Sequence, residues 1–249
     1  IWASDGRGIY VQYDDHGRTR LALVSLDGRI DVIEGGLGGS TFGRPYSGGE
    51  FSVANNGRIA ATRASPTRPS ELASGTRRSG LNMITRLNED ALANRYVSPV
   101  EEIIWRSPHD GRQIQGWVLY PPRFDPDRTY PLILEIHGGP FTAYGPVFSA
   151  ELQLMAAAGY VVLYTHPRGS TSYGYEFANL IHHDYPGNDY DDLMGGVDTM
   201  IDRGFIDEER LFVTGGSGGG VLTAWIIGNT DRFAASAVVK PVINWSSFV

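Results

Sequence analysis

The stretch Arg210-Leu211-Phe212-Val213-Thr214-Gly215-Gly216-Ser217-Gly218-Gly219-Gly220-Val221-Leu222-Thr223-Ala224-Trp225-Ile226-Ile227 joins a strand-like apolar segment to a helix-like one through a run of glycines broken by one serine. It contains G-x-S-x-G, from Gly215 to Gly219. A strand-to-helix turn this tight leaves no room for side chains beside the serine, and it exposes the serine oxygen at the carboxyl edge of a sheet. Ser217 is therefore the candidate nucleophile. In a chain with 32 glycines the bare pattern carries little weight. The strand before it and the helix after it supply the context that the chemistry demands.

Upstream, Pro131-Leu132-Ile133-Leu134-Glu135-Ile136 and Tyr160-Val161-Val162-Leu163-Tyr164 are compact apolar runs like Arg210 to Thr214, as expected of parallel strands covered on both faces. Helix-like segments separate them. Leu152, Leu154 and Met155 lie in an alanine-rich stretch ending at Gly159, while Leu193, Met194, Val197, Met200 and Ile201 form one apolar face closed by Gly204. A hairpin comes first, with Ile103-Ile104-Trp105 and Ile114 to Leu119 flanking the turn His109-Asp110-Gly111. The alternation βαβαβα predicts a doubly wound α/β layer.

The segment His137-Gly138-Gly139-Pro140 leaves the first of these strands where such a sheet collects its ligands. With an elbow at Ser217, the amides of Gly139 and Gly218 are the candidate oxyanion donors; the plainer alternative is a glycine turn leaving a strand. His166-Pro167-Arg168-Gly169-Ser170-Thr171-Ser172-Tyr173-Gly174 also follows a strand. Its Arg168 and Tyr173 either shape a substrate pocket or belong to a structural loop. Asp189, Asp191 and Asp192 read as helix N-terminal capping and dipole compensation, since no histidine stands beside them at ligand spacing. Adjacent residues on a helix diverge, so His182-His183 reads as surface. Neither a metal nor another cofactor is expected.

Residues 1 to about 95 read as short strands divided by Asp5-Gly6, Asp14-Asp15-His16-Gly17 and Asp27-Gly28. Ser4 to Val11 is weakly echoed by Asn55 to Thr62, a period of about fifty residues that suits a four-stranded propeller blade. An ordinary antiparallel sheet with Asp-Gly turns is the alternative. Thr62 to Gly80, rich in Pro, Ser, Thr and Arg, is expected to be a surface loop, and Asn88 to Pro99 a connection between domains.

The 28 acidic residues outnumber 21 basic ones, which are scattered, so nucleic acid is not an expected partner. No apolar run approaches the ~20 residues that span a bilayer, and no membrane partner is expected. Cysteine is absent, which leaves both a cytoplasmic and an exported location open. The first residue is Ile1, and both ends are expected to be cuts through a larger protein.

Together, the HGGP loop, the PRGSTSYG segment, the helix NDYDDLMGGVD, the TGGSGGG elbow, Asp231-Arg232-Phe233 and Pro241-Val242-Ile243-Asn244-Trp245 resemble the prolyl oligopeptidase family, in particular its acylaminoacyl-peptidase-type members. The resemblance covers Ile103 to Trp245, about three fifths of the chain. It implies an incomplete α/β-hydrolase sheet at 98–249, cut before the triad Asp and His, preceded by the last blades of a β-propeller at 1–97. It also implies hydrolysis of short peptides, with the propeller screening out folded proteins. Glu101-Glu102 is similar to the paired glutamates that hold a free amino terminus in dipeptidyl peptidases, but its place in the opening hairpin argues against that role.

The triad order in such a fold is Ser, Asp, His. Only 32 residues follow Ser217, with Asp231 their sole acidic residue and no histidine among them. Without a general base a serine is a poor nucleophile near neutral pH, so these 249 residues alone are expected to be inactive and the activity to belong to the intact parent. Two alternatives keep other functions open: an esterase using the same elbow and loop, and a non-catalytic propeller-type binding protein. Assembly into a homo-oligomer is left open.

Overall fold

A computed structural model describes residues 1–247. They form two units, one of Ile1–Val97 with Gly145–Ala150, the other of Ser98–Tyr144 with the chain from Glu151 onward.

The first unit holds β1 (Gly8–Asp15), β2 (Arg18–Ser25), β3 (Ile30–Leu37), β4 (Phe51–Val53), β5 (Arg58–Ser65), β6 (Arg68–Thr76) and β7 (Gly80–Met83), followed by the short α1 (Glu89–Leu92). Every pairing is antiparallel. A single residue pair, Leu37 with Arg63, links β3 to β5, so the strands fall into two meanders. One is β1–β3, extended by the bridge Trp2–Ile9; the other is β4–β7. These are the propeller blades, and the sequence echo falls on β1 and β5, which stand second in each meander. Leu21, Leu37, Ile59 and Ala73 are fully buried between strand faces.

The expected loop at 62–80 is instead most of the β5–β6 hairpin. Its Pro, Ser, Thr and Arg residues disguise a period of two: Pro69, Glu71, Ala73 and Gly75 are buried while their neighbours are not. Glu71 belongs on the inner face because its carboxylate accepts hydrogen bonds from Thr85 Oγ1, the Leu87 and Asn88 amides and Asn88 Nδ2. Those bonds, the Thr85 hydroxyl first, hold its pKa down to about 2.

In the second unit β8 (Val100–Arg106) and β9 (Gln113–Leu119) form the predicted hairpin. β10 (Tyr130–Ile136), α2 (Ala150–Ala157), β11 (Val161–His166), α3 (Tyr175–Asn179), α4 (Asp189–Ile201), β12 (Ile206–Gly216), α5 (Gly218–Asn229) and β13 (Ala235–Val239) follow. The sheet order is β13-β12-β10-β11-β9-β8, parallel from β13 to β11 and antiparallel beyond. Chain progression thus runs outward from β10 to β11 on one side and to β12 and β13 on the other. That reversal is the topological switch point, where crevices open beyond the carboxyl ends of the strands.

Leu193, Met194, Val197 and Met200 of α4 share one core with Leu132, Leu134, Ile136, Val161, Leu163, Leu211 and Val213. The indole of Trp105 is seated on glycines: a Cβ on Gly116 or Gly196 would lie 2.9 or 2.8 Å from its ring. Its Nε1 donates to the Asp192 carbonyl oxygen at 3.0 Å. The Gly195-Gly196 pair costs α4 about 1 kcal/mol of helix propensity per residue, and it lets the helix approach the opening hairpin. Among the described residues no helix is long and apolar enough to cross a membrane.

Candidate functional site

β10 and β12 are neighbours in register, Ile136 opposite Gly215, so the segments leaving them emerge side by side. Ser217 stands at the turn into α5 with φ 57° and ψ −115°. This left-handed conformation costs a non-glycine residue on the order of 1–3 kcal/mol and is found at functional turns. Neighbouring backbone holds it: Ser217 N–H donates to the Val239 carbonyl oxygen at 3.0 Å, and Val221 N–H donates to the Ser217 carbonyl oxygen at 3.0 Å.

The glycines around Ser217 are required by close approach. A Cβ on Gly219 would sit 2.1 Å from the Ile136 carbonyl oxygen, and one on Gly218 would sit 2.7 Å from the Gly139 oxygen and 3.1 Å from its nitrogen. The elbow and the glycine loop are therefore packed backbone to backbone. Gly139, with φ 112°, is exposed. Ser217, Gly218 and Gly139 are thus brought together at the switch point.

Beneath the loop, buried His137 has Nδ1 2.6 Å from the Gly138 carbonyl oxygen and Nε2 2.8 Å from Ser170 Oγ. Burial pulls its pKa down to about 4, so the ring is neutral at physiological pH. His166, also buried and also shifted down, has Nδ1 2.7 Å from the Tyr173 hydroxyl. Both buried histidines are therefore engaged away from Ser217.

Arg168 and Tyr173 have partners within the fold. The Arg168 guanidinium reaches both carboxylate oxygens of Asp192 through Nε at 2.9 Å and Nη2 at 2.8 Å, and Asp110 at 3.3 Å. Its backbone N–H also donates to Asp192 at 2.8 Å. The Tyr173 hydroxyl donates to Gln115 Oε1, and its ring packs 4.9 Å from Phe177.

The acidic cluster divides rather than acting as one capping group. Asp192, an acidic residue of the first turn of α4, is also the buried counter-ion of Arg168. Asp189 does satisfy amides at the helix start, Oδ1 accepting from Gly187 N–H and Tyr190 N–H at 2.9 Å. It is completely buried, and loss of solvation raises its pKa to about 6. Glu101 and Glu102 diverge because successive strand residues face opposite sides. Glu101 binds Arg203 and the Tyr120 hydroxyl, whereas Glu102 accepts from Gln115 Nε2.

One residue at the elbow has no signal in the sequence. Tyr185 lies in the irregular segment before α4, and its hydroxyl donates to the Gly218 carbonyl oxygen at 2.9 Å. Burial first, and the Asp189 charge second, push its pKa above the ordinary tyrosine value. It remains a protonated donor at physiological pH.

A doubly wound sheet with a serine elbow at its switch point, on one chain with antiparallel propeller blades, defines an α/β-hydrolase of the propeller-bearing class. The chain matches the prolyl oligopeptidase family over residues 146–249. It is 39% identical over its whole length to the uncharacterized peptidase YuxL of Bacillus subtilis, covering 37% of that protein. It is 31% identical over 98% of its length to dipeptidyl-peptidase 5 of Porphyromonas gingivalis, covering 35% of it. Among solved structures, Pyrococcus horikoshii acylaminoacyl peptidase superposes with a TM-score of 0.80 at 27% identity, over 93% of this chain and 35% of that one. The chain therefore spans only 37% and 35% of the curated relatives it matches.

Proposed function

We propose that the full-length protein is a serine peptidase acting on short peptides, with residues 98–249 the first part of its catalytic domain and 1–97 the last blades of its propeller. Ser217 Oγ attacks the peptide carbonyl carbon and its proton passes to the leaving amine as the C–N bond breaks. Water then hydrolyses the acyl-serine ester. The amides of Gly139 and Gly218 receive the negative oxygen of each tetrahedral intermediate. The observation that carries this reading is the packing of Gly218 against Gly139, whose backbone atoms lie about 3 Å from the position of a Gly218 Cβ.

The general base and its acidic partner are assigned to parts of the protein beyond these 249 residues. Support comes from the partial span of the relatives and from the engagement of both buried histidines elsewhere. On this reading the present chain alone does not turn over substrate. Arg168 and Tyr173 are assigned to the frame of the site, because both are held by the fold. Parallel turnover of N-acylated peptides, free-amine peptides and p-nitrophenyl esters by the full-length protein, with and without Ser217→Ala, tests the proposal. Peptide turnover lost with Ser217 supports it; ester turnover without peptide turnover replaces it with an esterase.

A further inference from the structure

We infer that Tyr185 is a positioning residue for the elbow, fixing the Gly218 backbone so that its amide presents correctly to a developing oxyanion; the inference rests on the peptidase reading above. The first turn of α5 consists of Gly218, Gly219 and Gly220, which no side chain of their own can anchor. Glycine loses the most backbone freedom on ordering, so such a turn needs outside contacts to hold one geometry. Ser217 N–H to the Val239 oxygen at 3.0 Å and the Tyr185 hydroxyl to the Gly218 oxygen at 2.9 Å supply them from outside the helix, beside the bond within α5 from Thr223 Oγ1 to the Gly219 oxygen at 2.7 Å.

Of these, the Tyr185 bond alone reaches the residue whose N–H is the proposed donor. Gly218 also packs closely against the Gly139 backbone, so both the second donor and the phenol hold it. Tyr185 is in turn supported by its own neighbours. Four residues on, Asp189 begins α4, which Arg168–Asp192 and Trp105 clamp to the sheet and hairpin. The Trp245 ring also meets Tyr185 edge-on at 6.5 Å. A donor aimed at developing charge is effective because it is fixed before the reaction begins, and a small displacement forfeits much of that benefit.

The test uses the full-length protein and Tyr185→Phe, which removes one oxygen and keeps the ring. Its kcat for peptide is expected to fall about 10-fold, with KM within about 2-fold, as for an interaction felt mainly in the transition state. Amide deuterium uptake in a peptide spanning Thr214 to Leu222 is expected to rise, with uptake in α4 unchanged. Unchanged kcat, or unchanged uptake at the elbow, overturns the inference. If wild-type turnover proves independent of Ser217, the peptidase reading and the donor role that rests on it both fall. Loss of turnover in Ser217→Ala with no effect of Tyr185→Phe sinks the inference alone.

Discussion

Replacing Asp189 by Asn should abolish a specific dependence of stability on pH. The carboxyl is completely buried, Oδ1 takes two amide hydrogen bonds, and Oδ2 has no hydrogen-bond partner. Its pKa is raised to about 6 in the folded protein, against roughly 3.9 for an unfolded chain. Between those values the native state binds more protons than the unfolded state. Stability must therefore fall as pH rises through the window, with the whole penalty present above it. Two units at about 1.4 kcal/mol each give a penalty of roughly 3 kcal/mol. Asn keeps the Oδ1 acceptor and cannot ionise. Urea unfolding of both proteins at pH 4 and pH 8 should show the stability of Asp189→Asn relative to wild type rising by about 3 kcal/mol between the two. His137 titrates in the same region with the opposite sign, since its lowered pKa costs stability as pH falls from about 6.5 towards about 4. Both proteins contain it, so it cancels. Parallel stability curves for the two proteins would refute the argument.

Gly218→Ala places a methyl 2.7 Å from the Gly139 oxygen and should reduce peptide turnover by the full-length protein about 100-fold, the scale of losing one oxyanion donor. Its circular dichroism spectrum should match wild type. Arg168→Ala leaves buried Asp192 without its counter-ion and should cost about 3–5 kcal/mol in chemical denaturation; a loss below about 1 kcal/mol would mean that the pair is not dry. Glu71→Gln should lower the melting temperature of the propeller blades at neutral pH. The difference from wild type should shrink as pH falls from about 4.5 towards about 2, because a carboxylate with a lowered pKa stabilises only while ionised.

What the sequence disclosed was local. The elbow could be read because strand, glycine turn and helix are contiguous from Arg210 to Ile227, and α4 because its apolar residues recur with a helical period. The β5–β6 hairpin escaped because Pro, Ser, Thr and Arg look like loop residues until the buried alternate positions are known. Arg168 could be read as lining a substrate pocket or as part of a structural loop, because the sequence places it only in a segment that follows a strand. Its counter-ion is 24 residues away, brought to it when α4 packs across the sheet. Tyr185 was invisible for the same reason, since its partner Gly218 lies 33 residues on and its own segment has no period. Pairings that exist only after the sheet is assembled leave no spacing to read.

The role of Ser217 is the central claim, and covalent labelling tests it most directly. The full-length protein is treated with a fluorophosphonate, digested, and the modified residue located by mass spectrometry. The adduct should lie on Ser217, and Ser217→Ala should take up no label while keeping its fold. Equal labelling of the alanine variant, or an adduct on any other serine, would contradict the assignment of this elbow as the nucleophile.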